Sequence, residues 1–73
     1  MELRDRFGLN VRRARLAKGL TIEALAQDAG LSYSYVGEIE RGLRNPTLDI
    51  IGKLADSLEI QPYTLLQSRT AER

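Results

Sequence analysis

The chain has no cysteine and no histidine, four aromatic residues (three Tyr, one Phe), and a net charge of only +1 at pH 7. Without cysteine there are no disulfide staples. Without thiolate or imidazole there is no zinc site of the usual ligand set. The same two absences remove the thiolate nucleophile and the imidazole general base. The chain also shows no Gly-rich phosphate-cradling loop and no carboxylate pair in a plausible cleft, so an enzyme is not expected. No apolar run approaches the roughly 18 residues of a membrane span. Glu2 and Asp5 precede any apolar stretch, which does not fit a secretory leader. The expectation is a soluble protein of a reducing, cytoplasmic compartment, with no metal, cofactor or small-molecule ligand and no membrane partner.

Seventy-three residues leave room for one small core and no second. A single domain over residues 1–73 is expected, with its core at about 4–67 and a frayed polar tail at 68–73. Net charge conceals a division. Residues 1–20 hold six basic side chains (Arg4, Arg6, Arg12, Arg13, Arg15, Lys18) against two acidic ones, a balance of +4. The rest hold five basic and eight acidic, a balance of −3. Such a split can orient a polyanion through local field, although on charge alone a solvated first helix is the simpler explanation.

Hydrophobic spacing is helical throughout, with no sustained period of two. Phe7, Val11 and Ala14 line one face of a first helix over residues 4–18, which Gly19 ends after Lys18. Leu9 and Leu16 lie off that stripe and either cover a flank of the core or meet a partner. Thr21 is an N-cap for a helix from Ile22 to Ala29, with Leu25, Ala26 and Ala29 inward. Gly30-Leu31-Ser32 supplies a turn, an apolar anchor and a new N-cap, which is the elbow of a helix-turn-helix. The third helix runs from the Ser32 cap to the Gly42 stop, with Val36 and Ile39 inward and Tyr33, Ser34, Glu38 and Arg41 outward. Its outward surface fits a probe laid against duplex DNA. After the turn Leu43-Arg44-Asn45-Pro46, Thr47 caps a fourth helix to about Leu58, with Leu48, Ile51, Leu54, Ala55 and Leu58 as its stripe. Pro62 opens a short fifth helix carrying Tyr63, Leu65 and Leu66.

These segments share a pattern. Phe7-Gly8, Val11-Arg12, Arg15 and Gly19-Leu20-Thr21 are followed by Leu25-Ala26, Ala29-Gly30-Leu31-Ser32 and Tyr35-Val36. Ile39-Glu40-Arg41-Gly42, Arg44-Asn45-Pro46-Thr47-Leu48, Leu54-Ala55 and Leu58 complete it. Over residues 7–66 the chain resembles the Cro/CI-type (Xre) helix-turn-helix family. Its size, Tyr35 and Ile39-Glu40-Arg41 look most like phage repressors or restriction–modification controller proteins. The resemblance implies an all-α, five-helix, lambda-repressor-like domain whose second and third helices bind DNA. It also implies a cytoplasmic, nucleoid-associated setting in a bacterium or phage.

Carried over by position, Tyr33, Ser34 and Glu38 are the candidates for base contact. Thr21, Tyr35, Arg44, Asn45, Arg12 and Arg41 are the candidates for phosphate contact. Two departures from the family pattern matter. Ile22 stands where relatives often carry Gln, which leaves that phosphate contact to Thr21 and the backbone. Relatives often carry Gln or Arg at base-reading positions such as those of Tyr33, Ser34 and Glu38, which shifts weight toward readout of DNA shape. Arg15 and Glu40 resemble the family's inter-helix salt bridge. Ile60, Tyr63, Leu65 and Leu66 form the expected homodimer interface, while Leu65 and Leu66 divide between core and interface. Tyr33 and Tyr35 have the competing reading of core-edge cover, and Arg44 to Thr47 that of a turn and cap. The expected function is a transcriptional regulator binding double-stranded DNA as a homodimer on a palindromic operator. The alternative is an antitoxin-like or adaptor module that keeps the fold and binds protein.

Overall fold

Three hydroxyl side chains start three of the helices. In the computed structural model, which describes residues 2–68, Thr21 Oγ1 accepts from the Ala24 amide at 3.0 Å and Ser32 Oγ from Tyr35 at 3.0 Å. Thr47 Oγ1 accepts from Ile50 at 3.2 Å. Each satisfies one of the amides a helix start leaves unpaired. The elements are α1 (Leu3–Ala17), α2 (Ile22–Ala29), α3 (Tyr33–Glu40), α4 (Leu48–Leu58) and a 3-10 helix (Pro62–Leu66). No strand occurs among the described residues.

All four α-helices end the same way. The chain turns left-handed and the next amide reaches back five residues: Leu20 to Arg15, Leu31 to Ala26, Leu43 to Glu38 and Ile60 to Ala55. Glycine takes the left-handed position at the first three, as expected from its lack of a Cβ. The fourth stop, Glu59 at φ 61°, was not foreseen. Its carboxylate accepts from Lys18 Nζ at 2.7 Å, which ties the end of α4 to the end of α1.

Phe7, Val11, Leu25, Ala26, Ala29, Val36, Ile39, Leu54, Ala55, Leu58 and Leu65 make one continuous buried core. α1 packs on α3 and on the 3-10 helix, and α2 packs on α3 and α4. The α1–α3 crossing is close because Gly8 permits it. A Cβ at that position would collide with the Ile39 carbonyl oxygen and lie 2.9 Å from that of Glu40.

Four expectations need correction. Leu48 is 84% exposed and outside the core, because side chains at a helix start lean back over its N-terminus, here beyond the packed layer. Leu16 is exposed and does not cover the core flank. The fifth helix is a 3-10 helix: five residues beginning with Pro62, with Thr64 bonded back to Gln61, are too few to propagate an α-helix. Leu65 is fully buried, so it is a core residue and cannot face a second subunit. Its burial has a cause that periodicity does not show. Asn10 Nδ2, buried on α1, donates to the carbonyls of Leu65 (2.9 Å) and Gln67 (2.8 Å) and fastens the 3-10 helix to α1. The expected tail falls mostly at residues 69–73, outside the described residues.

Two outcomes are expected. Gly8→Ala should lose about 2 kcal/mol, since two backbone carbonyls cannot rotate away as a side chain would. In a domain this small that lowers the thermal midpoint by about 10 °C, measurable by circular dichroism. For the Lys18–Glu59 link, the lysine's hydrogen bond and charge hold the Glu59 carboxyl below the ordinary carboxylate range. A group depressed in the folded state contributes stability above its unfolded value and loses it as pH falls through the folded one. The gap in urea midpoint between wild type and Glu59→Gln should therefore be present at neutral pH and close on acidification.

Candidate nucleic-acid interface

Helix α3 divides sharply between an inner and an outer face. Val36, Gly37 and Ile39 are buried, whereas Tyr33 is 61% exposed and Ser34 is open to solvent beside it. Ser32 fixes where the helix begins, so it also fixes which side chains occupy the leading turn. Leu31, half-buried against the core, holds the connection from α2. A short capped helix with its first turn projecting is what a major groove can receive.

The angle of that helix is set from behind. Arg15 on α1 donates through Nε to Glu40 Oε2 at 2.7 Å and through Nη2 to Oε1 at 3.0 Å. Its Nη1 donates to the Leu20 carbonyl at 2.9 Å. The two side chains are 8% and 4% exposed. The Glu40 hydrogen bonds hold the guanidinium above its already high ordinary range, against the opposing pull of burial. Every donor nitrogen of Arg15 therefore has a protein acceptor, and burial keeps the guanidinium away from DNA.

A second arginine–glutamate pair lies on the exposed side. Arg44 Nε donates to Glu38 Oε1 at 2.7 Å, and the guanidinium carbon sits 5.6 Å from the centroid of the Tyr35 ring. The Glu38 hydrogen bond raises the Arg44 guanidinium above its ordinary range. Glu38, Tyr35 and Arg44 thus come together as a cluster of carboxylate, cation and ring. Tyr35 is half-buried and packs on the core edge, so its ring is both cover and platform. The pairing has no periodic signature, because Arg44 lies beyond the Gly42 stop, where helical spacing no longer holds.

The other expected contacts are distributed as follows. Thr21, Arg12, Arg41 and Asn45 are exposed. The Thr21 oxygen is committed to the α2 cap, which leaves its O–H as a donor. Asn45 borders a shallow groove with Leu3, Phe7, Pro46, Ile51 and Leu66. Of the expected dimer residues, Tyr63 is 62% exposed and Ile60 and Leu66 are half-buried against the core. Among the described residues no cluster of His, Cys, Asp or Glu could hold a metal ion, and no helix is long and apolar enough to cross a membrane.

The helix-turn-helix family model (HTH_3) matches residues 11–65, most of the chain. The protein belongs to the helix-turn-helix family of DNA-binding transcriptional regulators. Within it, control protein C.BamHI of Bacillus amyloliquefaciens is 43% identical over 65 residues, covering 88% of this chain and 80% of that one. The restriction-modification controller protein C.AhdI from Aeromonas hydrophila superposes with a TM-score of 0.83 at 50% identity, covering 85% of this chain and 94% of that one. SinR, the master regulator for biofilm formation, solved in complex with DNA, superposes with a TM-score of 0.80 at 34% identity, covering 84% and 98%. The chain thus spans most of C.BamHI and C.AhdI, but only 58% of the length of the Bacillus subtilis regulator SinR.

Removing one member of the Arg15–Glu40 pair strands a buried charge, at a cost of about 3–5 kcal/mol. A domain of this size has about 4–11 kcal/mol in total. Glu40→Ala should thus leave the protein largely unfolded or close to it at 37 °C. Thermal melting followed by circular dichroism checks this, and a midpoint within a few degrees of wild type would contradict it.

Proposed function

We propose that the protein is a sequence-specific transcriptional regulator that binds a palindromic operator as a homodimer, in the capacity of a control protein. The observation that carries this reading is the leading turn of α3. Ser32 caps it, Val36 and Ile39 anchor it, and Tyr33 and Ser34 stand clear of the protein. Similarity to the controller proteins C.BamHI and C.AhdI supports the class, and the SinR–DNA complex supports duplex DNA as the partner.

Tyr33 and Ser34 are the leading base contacts, through a hydroxyl each and, for Tyr33, contact with a thymine methyl. Glu38 stands beside them with its Oε1 taken by Arg44 Nε. Arg44, Asn45 and Tyr35 grip the backbone on one side of the groove. Thr21 and the free amides at the start of α2 grip it on the other, with Arg12 and Arg41 adding charge farther out. One α3 spans only a few base pairs, so two-fold pairing is needed for specificity. Tyr63, Ile60 and Leu66 supply apolar surface for it. A cytoplasmic setting, beside the DNA it controls, goes with this function.

Selection of bound duplexes from a random pool tests the reading. Enrichment of inverted half-sites about 34 Å apart, one DNA turn, is expected. Arg44→Ala should weaken binding to the selected duplex about tenfold and reduce the slope of log affinity against log salt by about one. Failure to enrich any duplex would sink the proposal.

A further inference from the structure

The two arginine–glutamate pairs involving α3 use their guanidinium groups differently. In the buried pair, Nε, Nη1 and Nη2 of Arg15 are all bonded to protein acceptors. In the exposed pair, Arg44 gives only Nε to Glu38. Both Nη groups remain, and together they form the fork that takes two phosphate oxygens. The guanidinium carbon lies over the Tyr35 ring, 5.6 Å from its centroid and within cation–π range. With side chains 53% and 33% exposed, the Arg44–Glu38 pair adds little to stability. A carboxylate on the DNA-facing side of α3 also repels the backbone. Its placement is therefore unfavourable for raw affinity, and stability does not account for it.

We infer that Glu38 is a positioning residue for specificity: it holds Arg44 by Nε over Tyr35, so that the Nη edge meets the DNA backbone in one orientation only. A duplex whose groove geometry brings a phosphate to that edge binds. One that brings the phosphate elsewhere meets the carboxylate instead. The inference deepens the DNA-binding reading and rests on it. It gives the Glu38 carboxylate a role other than direct base contact.

The test measures the affinity ratio between the selected duplex and a scrambled one, at salt low enough for weak variants to bind. Glu38→Ala should lower the ratio about tenfold with the melting temperature unchanged, and Glu38→Gln, whose amide oxygen still accepts from Nε, should keep most of it. In an Arg44→Ala background, Glu38→Ala should change the ratio by less than about twofold, because a positioning residue has nothing left to position. The same loss in that background means direct base contact by Glu38 and overturns the inference. So does a ratio unaffected by Glu38→Ala, or a Glu38→Ala chain that melts far below wild type. Each of those outcomes leaves the regulator reading intact, whereas a wild-type chain that selects no duplex removes both.

Discussion

The buried bond between Arg15 and Glu40 is the constraint on which the DNA-facing geometry depends. Taking both charges out of water costs several kcal/mol per ion. Two charge-assisted hydrogen bonds, at 2.7 and 3.0 Å, and a third to the Leu20 carbonyl offset that cost. A hydrophobic pair of equal volume would pack α1 on α3 at least as firmly, but would tolerate sliding. A bidentate guanidinium–carboxylate pair accepts one register and one angle. Gly8 acts in the same direction by letting the two helix backbones meet where any side chain would separate them. The leading turn of α3 is therefore held from behind, and its exposed side chains need contribute nothing to that hold.

The same pairing chemistry serves two purposes on one helix. Away from water, all three kinds of guanidinium nitrogen are bonded and the group acts as a rivet. At the surface, a single Nε bond leaves the fork open and the group acts as a guided contact. The difference comes from burial and from how many donors are already taken, since the residue types are identical. A core of eleven buried apolar side chains is small, and the polar fastenings around it are correspondingly specific. Asn10 holds the 3-10 helix by two carbonyls, Lys18 meets Glu59, and three hydroxyls cap helices.

Where the fold was legible, the signals were local. Thr21, Ser32 and Thr47 precede apolar periods, so each announces a helix start within a residue. Gly19, Gly30 and Gly42 announce stops for the same kind of reason. Val36 and Ile39 mark an inner face, and hence an outer one, before any tertiary contact is known. Periodicity failed where burial depends on what lies opposite. Leu48 and Leu16 have the character of core residues but point past the edge of the neighbouring helices. Spacing leaves Leu65 open between core and subunit surface, and Asn10 decides it by drawing that segment against α1. Glu59 ends a helix without being glycine, because a left-handed backbone is tolerated there and Lys18 meets its side chain.

The sequence by itself determined the number and order of the helices, their polar and apolar faces, and the presence of a helix-turn-helix, because caps, glycine stops and spacing act within a few residues of one another. Only the tertiary structure decided which arginine is spent inside the protein and which keeps donors facing out. Arg15 and Arg44 are chemically the same side chain, and each stands in a stretch that also fits the family pattern. Their roles diverge because the fold brings Glu40 and the Leu20 carbonyl to one of them in the dry interior. It brings only a half-exposed Glu38 and the Tyr35 ring to the other, and no local pattern encodes that difference.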